Sequence, residues 1–383
     1  MVCHRRLRGL RTEPAFRVLK QLFSWLWRVS LWQRILWYFR DILGCTTGWF
    51  MQKATAVAHS NLAFVKYWGK RDASMNIPLN NSISMNLSAA STRTTITFDR
   101  DFQQDRVLLE GQPVSDKFSA RVSQHLDRVR TVAGVQTFAQ VETANTFPAS
   151  TGFASSASGF AALSLAAAAA LGLDLTEREL SILARRGSGS ACRSIPAGFV
   201  EWQAGTQTDD SFAVQVAPAD HWAIVDVAVL VTAEEKSVSS SDGHILALNS
   251  PFWEARAGIL PQRLDRVRRA ILERDFATFG REIEAEAMSM HAIMLTSEFE
   301  SERAWHPGIF YWTPGTLRLL MAAQQWREDG LDVYFTLDAG PTVHLMCPAS
   351  QESAVVDAVR SVADEDWQLL ISRPAPGAHL VEA

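Results

Sequence analysis

The stretch "NTFPASTGFASSASGFAALSLAAAAALG", from Asn145 to Gly172, consists almost wholly of small residues. Small side chains bury little apolar area, so the hydrophobic effect gives little return for ordering this backbone. Such a chain is favoured where another group must approach the backbone closely. The run after Gly159 has the spacing of a buried helix that ends near Gly172, which puts the glycine- and serine-rich part at the helix start.

Small residues that lead directly into a helix predict a phosphate-binding loop. Exposed N–H groups point at the anion there, and the helix dipole favours negative charge. The residues expected to wrap around the phosphate are Gly152, Ala154, Ser155, Ser156 and Ala157. The alternative is a closely packed helix pair that needs Ala and Gly, and composition alone leaves both readings open.

Two other phosphate motifs are not supported by the sequence. The Walker pattern is absent, because Gly69-Lys70 has no glycine five residues earlier and Arg71 follows. The segment "GSGSAC" from Gly187 is only close to GxGxxG, and it follows a helical pattern rather than a strand.

Composition and cysteine spacing indicate a globular intracellular protein. The 383 residues suffice for two domains, with 47% apolar and 20% charged residues. The four cysteines are Cys3, Cys45, Cys192 and Cys347, and no pair has CxxC spacing. Neither a disulfide framework nor a zinc site is indicated, and we expect a reducing, cytoplasmic setting.

Charge divides the chain unevenly near residue 50. Residues 1–50 hold nine Arg or Lys against two acidic residues, a net charge of +7. Because the whole chain has a net charge of −4, residues 51–383 carry −11. Residues 1–50 also hold five of the thirteen tryptophans. The acidic body offers no electrostatic footprint for nucleic acid, so we expect no nucleic-acid partner.

The basic extension has two interpretations. Its segment "FSWLWRVSLWQRILWYF", residues 23–39, is interrupted by Arg28, Gln33 and Arg34 and is too short in apolar run for a membrane span. One interpretation is a helix that lies on an anionic membrane surface. The other, which we favour, is that translation starts at Met51; membrane contact is expected only if the extension is real.

The body reads as a mixture of strands and helices without a strict βαβ rhythm. Strands are predicted over 54–68, 91–98, 138–147 and 221–233, a hairpin over 101–114 with its turn at Glu110-Gly111, helices over 116–134, 176–187 and much of 251–328, a loop over 234–244, and two strands flanking 337–346. This pattern predicts an α+β protein with an N-terminal lobe over 51–235 and a C-terminal lobe over 236–383.

Five motifs together resemble one known family. "PASTGFASSASG" resembles the ATP loop of the galactokinase, homoserine kinase and mevalonate kinase superfamily. With it, "NLAFVKYWGKRD", "RRGSGSACRS", "GFVEWQAG" and "LDAGPTVH" resemble diphosphomevalonate decarboxylase in the same order, from about Ala54 to beyond Pro341.

The resemblance implies a fold and a reaction. The fold is the two-lobed small-molecule-kinase (GHMP-type) fold, with an N-terminal lobe like ribosomal protein S5 domain 2 and a ferredoxin-like C-terminal lobe. The reaction, in isoprenoid biosynthesis by the mevalonate pathway, converts mevalonate 5-diphosphate and ATP, with Mg²⁺, to isopentenyl diphosphate, CO₂, ADP and phosphate. A homodimer is also implied.

The resemblance also assigns roles to matching residues. The implied catalytic residues are Asp338, which takes the hydroxyl proton, together with Lys70, Arg193 and Asn61. The implied substrate-binding residues are Tyr67, Trp68, Gly69, Lys70, Arg106, Ser188, Gly189, Ser190, Ala191, Cys192, Arg193, Ser240 and His244, where the family pattern has methionine at the last position. Pro148 and Ser158 join the ATP-binding residues, and Ser156 is implied as a contact for Mg²⁺.

The residue types agree with this chemistry, although each has a simpler reading. Asp338 precedes Ala-Gly-Pro, so it can be a catalytic base or an ordinary turn residue. Lys70 can hold a phosphate or be a surface lysine with its stem on Trp68. Arg193 suits a two-pronged grip on a carboxylate or phosphate.

Three other functions remain open at the sequence level. The first two keep the fold: a decarboxylase of mevalonate 5-phosphate, or a mevalonate 3-kinase that stops at the phosphate ester. The third, of another class, is a membrane-tethered nucleotide-binding module without catalysis, which only the basic extension supports.

Overall fold

A computed structural model gives the fold and describes residues 53–147, 155–232, 238–301 and 303–382. Several expectations lie outside these described residues. They concern the basic extension of residues 1–50, the loop residues Pro148, Gly152 and Ala154, and the lobe boundary at 235.

The described residues contain sixteen strands and eight α-helices. The strands are β1 (Lys53–Val65), β2 (Lys70–Asp72), β3 (Ile77–Pro78), β4 (Ser82–Asp99), β5 (Arg106–Leu109), β6 (Gln112–Pro113), β7 (Phe138–Asn145), β8 (Phe199–Gln203), β9 (Phe212–Ala217), β10 (Ile224–Leu230), β11 (Phe299–Glu300), β12 (Trp305–His306), β13 (Tyr334–Thr336), β14 (Val343–Pro348), β15 (Gln368–Ser372) and β16 (His379–Val381). The helices are α1 (Asp116–Ala133), α2 (Ser155–Ala170), α3 (Glu177–Gly187), α4 (Ser240–Leu246), α5 (Trp253–Glu273), α6 (Phe276–Leu295), α7 (Pro314–Glu328) and α8 (Glu352–Val362).

The larger sheet has eight strands built around β1 and β4. Its main order is β16-β1-β4-β7-β5-β6, and β8 pairs with β4 and carries β9 on its other side. Every pair is antiparallel except β5 with β7. The register between β1 and β4 shifts between His59 and Asn61, and such a bulge re-aims the residues that follow it.

Helix α2 packs on this sheet with almost no large side chains. Ten of its residues from Ala157 to Ala170 besides Phe160 are buried, and eight of these are fully covered alanines or serines such as Ala161 and Ser158. Small residues let the helix backbone approach the sheet closely, so the alanine run serves packing as well as the loop before it.

The second sheet has four strands in the order β13-β14-β10-β15, all antiparallel. Its buried face packs against α7 and α8 through a valine- and leucine-rich cluster that includes Val227, Val343, Leu345 and Val355. A separate cluster places α5 and α6 against the larger sheet, with Phe64, Val267 and Phe279 among its members. Helices α5 and α6 therefore lie where the two sheets adjoin.

Most local predictions are confirmed. Glu110 and Gly111 both have positive φ, as a tight hairpin turn requires. Gly134 ends α1 in the left-handed region, and Thr176 forms the predicted capping box with Glu179 at the start of α3.

The prediction of a loop over 234–244 was wrong in its second half. Ser240–Leu246 form α4, because the Ser239 hydroxyl accepts a hydrogen bond from the Asp242 N–H and caps the helix. The α+β class agrees with the structure, whereas the boundaries at 50 and 235 stay predictions. In the described parts of the chain, no helix combines the length and the apolar character needed to cross a membrane.

Candidate active site

An aspartate and a buried lysine from distant parts of the chain form the centre of the site. Asp338 follows β13 in a turn that the Gly340 N–H closes on the Asp338 carbonyl at 2.8 Å. The Lys66 ammonium, just beyond β1, donates to Asp338 Oδ1 at 2.9 Å. The Lys66 side chain is 1% exposed and that of Asp338 is 36% exposed, so the carboxylate remains open to a ligand.

Opposing effects set the charge of this pair. Burial raises the pKa of the Asp338 carboxyl, but Lys66, His344 and Arg193 lower it by more, so the net pKa lies below its usual value. Burial also lowers the pKa of Lys66, and the charges of Asp338 and Glu286 only partly oppose that effect. Asp338 is therefore an ionised carboxylate at neutral pH, which is the form that accepts a proton.

Helix α6 fixes the backbone at this point. His291 Nε2 lies 3.2 Å from the Asp338 carbonyl oxygen and donates to it. Burial lowers the pKa of His291 to about 3, so its ring is neutral and serves as a hydrogen-bond donor rather than as a charge.

Arg193 is a buried cation whose guanidinium is held by neutral groups. It lies in the 3₁₀ segment Gly189–Ser194. Its Nε donates to Asn61 Oδ1 at 3.0 Å and its Nη1 donates to Ser82 Oγ at 2.6 Å. None of the ion pairs recorded among the described residues involves Arg193, so its charge is available to an anionic ligand.

Asn61 orients this arginine. Its side-chain amide donates to the Ser190 carbonyl at 3.1 Å and to Ser194 Oγ at 2.8 Å, which leaves its oxygen for Arg193. The structure thus brings three predicted residues together, Asn61, Ser190 and Arg193, around a backbone turn that follows α3.

Tyr67 faces the same turn. A Cβ atom at Gly189 would lie 2.8 Å from the Tyr67 hydroxyl oxygen, so only glycine permits this approach. The hydroxyl is buried and has no hydrogen-bond partner among the described residues, and a buried orphan donor of this kind suits a bound ligand. Trp202 packs edge-on against the Tyr67 ring at 4.7 Å.

The neighbouring predicted residues have packing contacts. Trp68 and Ala191 are buried, and the Cys192 thiol is buried and donates to the Gly189 carbonyl at 3.1 Å. Burial raises the pKa of the Cys192 thiol to about 12, so it is not a nucleophile at neutral pH.

Lys66, rather than Lys70, contacts Asp338, and sequence reasoning missed it. Lys70 begins β2 and is half-buried; burial lowers its pKa, the charge of Arg121 lowers it further, and Asp242 opposes both. The two lysines belong to the same short motif. Position along the chain could have distinguished the two lysines. Lys66 directly follows a buried strand, so its side chain was the one more apt to be buried.

The last residues of the phosphate loop, from Ser155 onward, lie next to the segment that carries Arg193. Ser156 Oγ, in the first turn of α2, lies 3.1 Å from Ser188 Oγ, which immediately precedes the segment of Arg193. Ser155 is half-buried beside it, whereas Ala157 is fully buried. The Ser158 hydroxyl is used in the core, at 2.6 Å from Thr92 Oγ1 and 3.1 Å from Ser60 Oγ.

Three other predicted substrate contacts lie on β5 and α4. Arg106 is exposed at the start of β5, and no contact recorded among the described residues joins it to Asp338 or Arg193. Ser240 is half-buried in the first turn of α4, and His244 is buried in the same helix. Their roles in substrate binding stay predictions.

The site offers Mg²⁺ few protein ligands. Among the described residues, no group of three or more His, Cys, Asp or Glu side chains could hold a metal ion. Mg²⁺ commonly keeps several waters and binds through substrate phosphates and one or two protein oxygens. The Ser156 hydroxyl beside the phosphate loop fits that mode of binding.

Comparison with known proteins agrees with the family resemblance found in the sequence. A model of the diphosphomevalonate decarboxylase-like N-terminal domain matches residues 58–213, and one of the mevalonate 5-diphosphate decarboxylase C-terminal domain matches residues 227–374. Diphosphomevalonate decarboxylase of Debaryomyces hansenii is 35% identical over 327 residues, covering 80% of this chain and 82% of the relative. The human enzyme of that name is 36% identical over 310 residues, covering 75% and 74%.

Solved structures agree with the sequence comparison. Mevalonate diphosphate decarboxylase from Staphylococcus aureus superposes with a TM-score of 0.81 at 35% identity, covering 86% of this chain and 98% of that one. The complex of MDDEF with MVAPP, AMPPCP and magnesium gives 0.80 at 37% identity, covering 87% and 99%.

The fold and its solved neighbours thus define a protein with the GHMP-kinase fold, and the predicted two-lobed α+β fold is confirmed. Within that class the identity is more specific. The chain belongs to the diphosphomevalonate decarboxylase family.

Proposed function

We propose that this protein is an ATP-dependent carboxy-lyase that converts mevalonate 5-diphosphate to isopentenyl diphosphate in the mevalonate pathway. The observation that carries the proposal is the open Asp338 carboxylate on Lys66 beside Arg193, a buried cation that only neutral groups hold. Family membership and the ligands MVAPP, AMPPCP and magnesium of the related MDDEF complex support it.

The first step transfers a phosphoryl group to the tertiary 3-hydroxyl. Asp338 accepts the hydroxyl proton while the oxygen attacks the γ-phosphorus of ATP and ADP leaves. The α2 N-terminus and the hydroxyls of Ser155 and Ser156 bind the phosphates. Bound Mg²⁺ would neutralise phosphate charge, with Ser156 as its protein contact.

The second step removes phosphate and CO₂ together. As phosphate leaves the tertiary carbon, positive charge develops at C3, and the electron pair of the C–CO₂⁻ bond forms the new double bond. Lys70 stabilises the leaving phosphate, and Arg193, oriented by Asn61, holds the carboxylate in line. The Tyr67 hydroxyl and the Ser188–Ser190 turn supply further donors for the diphosphate.

One assay separates this reaction from the two that share the fold. Purified protein is given ATP with mevalonate, mevalonate 5-phosphate or mevalonate 5-diphosphate, and released phosphate and CO₂ are followed together. We expect equal amounts of both products with the diphosphate and the highest kcat/KM for it. Preference for the monophosphate supports that decarboxylase instead, and ADP formation without CO₂ supports a 3-kinase.

Asp338→Asn tests the proton acceptor. The amide keeps the shape but cannot take the proton, so kcat should fall by roughly 10²- to 10⁴-fold. ATP affinity, measured by calorimetry, should stay within about twofold because the phosphate loop is unchanged. The control is Asp332→Asn at an exposed aspartate of the same region; equal activity of the Asp338 and Asp332 variants would remove Asp338 from this role.

The homodimer, the cytoplasmic location and the basic extension remain predictions. Sedimentation equilibrium of the purified chain tests the dimer. Co-sedimentation of residues 1–383 and 51–383 with anionic vesicles tests the membrane-tethered alternative, for which only the full chain should sediment. Turnover by either chain rules out a non-catalytic module.

A further inference from the structure

His244 lies between two aromatic rings of the segment that carries predicted substrate contacts. Its ring centroid is 4.0 Å from that of Tyr67 and 4.6 Å from that of Trp68, with interplanar angles of 33° and 34°. The histidine belongs to α4, whereas both aromatic residues lie in the segment between β1 and β2. One side chain therefore joins two separate parts of the chain.

A hydrogen bond fixes the same contact. The Gly69 N–H donates to His244 Nδ1 at 3.0 Å. Gly69 has φ +91°, and a Cβ atom there would lie 2.6 Å from Leu79 Cδ1, so the backbone has few alternatives at this turn. Since Nδ1 accepts, the neutral ring carries its proton on Nε2.

The helix is built to reach this position. A Cβ atom at Gly243 would lie 2.7 Å from Trp68 Cη2, so glycine allows α4 to approach the indole. Ser239 caps the helix three residues before Asp242. Burial, with the nearby charges of Lys70 and Arg193, lowers the pKa of His244 well below its ordinary value, which keeps Nδ1 an acceptor at neutral pH.

We propose that His244 is a positioning residue for the diphosphate substrate. It holds the Tyr67–Gly69 turn against α4 and thereby sets the Tyr67 hydroxyl and the adjoining Lys70 for binding. The role depends on the hydrogen bond from the Gly69 N–H to His244 Nδ1. This inference rests on the proposed function, since the substrate is the one named there.

Two amide variants distinguish this role from direct contact with substrate. The amide oxygen of His244→Asn can take the place of Nδ1, whereas His244→Gln extends to the place of Nε2. We expect His244→Gln and His244→Ala to raise KM for mevalonate 5-diphosphate by about 10- to 100-fold, and His244→Asn by less than about fivefold. KM for ATP should change by less than about twofold in all three, because the phosphate loop is not involved.

Ile245→Ala is the matched control, because Ile245 is exposed on the same helix; its kinetics should equal wild type. Rescue by Gln but not by Asn would overturn the inference in favour of a direct Nε2–H contact with substrate. Wild-type KM in His244→Ala, or an equal loss of folding in the Asn and Gln variants by thermal unfolding, would overturn it as well. A wild-type protein without turnover would instead refute the proposed function.

Discussion

At the scale of single residues, the reactivity of Asp338 depends on neighbouring charges, of which Lys66 has the largest effect. Burial alone would raise the pKa of this carboxyl and keep it protonated to a higher pH. Lys66 reverses that effect through a 2.9 Å hydrogen bond, and the lysine is itself almost completely buried. The pair therefore keeps the carboxylate ionised while one side of it stays open.

Lys66→Met should move the acidic limb of the kcat/KM profile to higher pH. Methionine keeps the length of the side chain without its charge, so the pKa of Asp338 rises and the ionised base is lost at a higher pH than in wild type. Below the raised pKa we expect kcat/KM to fall by about 10-fold for each pH unit, so the difference from wild type should be largest at the acidic end. The measurement is the pH profile from pH 4.5 to 9 with mevalonate 5-diphosphate.

The control for this change is Lys53→Met, an exposed lysine at the start of the same strand. Its profile should match wild type. An acidic limb that stays in place in Lys66→Met would mean that another group titrates there.

Sequence alone could predict Asp338 and Arg193 but not the partner of the aspartate. Motif resemblance supplied both residues, and the structure brings them close enough for Arg193 to lower the Asp338 pKa. The Lys66–Asp338 contact spans 272 positions of sequence. No periodicity along the chain reports a pairing at that distance, and the family resemblance assigns a catalytic role to Lys70 of the same motif but none to Lys66.

At the scale of elements, the packing of α2 against the end of α3 determines where the segment Gly189–Ser194, which carries Arg193, begins. A Cβ atom at Gly187 would lie 2.2 Å from Phe160 Cδ1 and 2.9 Å from His125 Nδ1. Arg121 donates to the Gly187 carbonyl at 3.0 Å and packs over the Phe160 ring. The last residue of α3 is thus glycine because of what packs on it, not because of its φ.

Gly187→Ala should therefore destabilise the protein and weaken substrate binding. The new methyl group forces Phe160 or the helix end to move, at a cost of about 1–3 kcal/mol. Displacing the turn that starts at Ser188 should also raise KM for mevalonate 5-diphosphate by several-fold. Urea unfolding and steady-state kinetics measure the two effects.

Gly159→Ala is the contrasting variant in the same helical layer. No atom lies within 4 Å of a Cβ at Gly159, which is in α2, so alanine should be neutral or stabilise by up to about 1 kcal/mol. Equal destabilisation by both substitutions would argue against the packing explanation.

Elements with strong local signals were predictable, and weak ones were not. Helix α3 was marked by its capping box and β1 by its apolar residues. Helix α4 is seven residues long and lacks an apolar stripe, so only its serine cap could have indicated it. The packing of α4 against Trp68 is a tertiary contact, and no local sequence pattern predicts it.

At the scale of the whole molecule, a buried ion network connects the helical layer with the active site. Glu286 of α6 is fully buried and bonds to Arg256 and Arg263 of α5, the latter at 2.9 Å. It also accepts the Lys66 N–H at 3.2 Å, at the end of β1. The position and the charge of Lys66 thus depend on the packing of α5 and α6.

Glu286→Gln should lower stability and shift catalysis in the same direction as Lys66→Met, by a smaller amount. The amide keeps the shape but leaves buried Arg256 without a counter-charge and Arg263 with Glu282 alone, which costs about 3–5 kcal/mol. The pKa of Lys66, which Glu286 raises, falls further. A less charged Lys66 lowers the Asp338 pKa less, so the acidic limb moves to higher pH.

Thermal unfolding and the kcat/KM profile test both parts, with Glu282→Gln as the control. Glu282 bonds to Arg263 and to the half-exposed Arg266, and its loss should cost about 1 kcal/mol or less. A destabilised Glu286 variant with an unshifted acidic limb would show that the network supports only the fold. A shift of the limb together with the loss of stability would show that the packing of the helical layer sets the charge on the catalytic base.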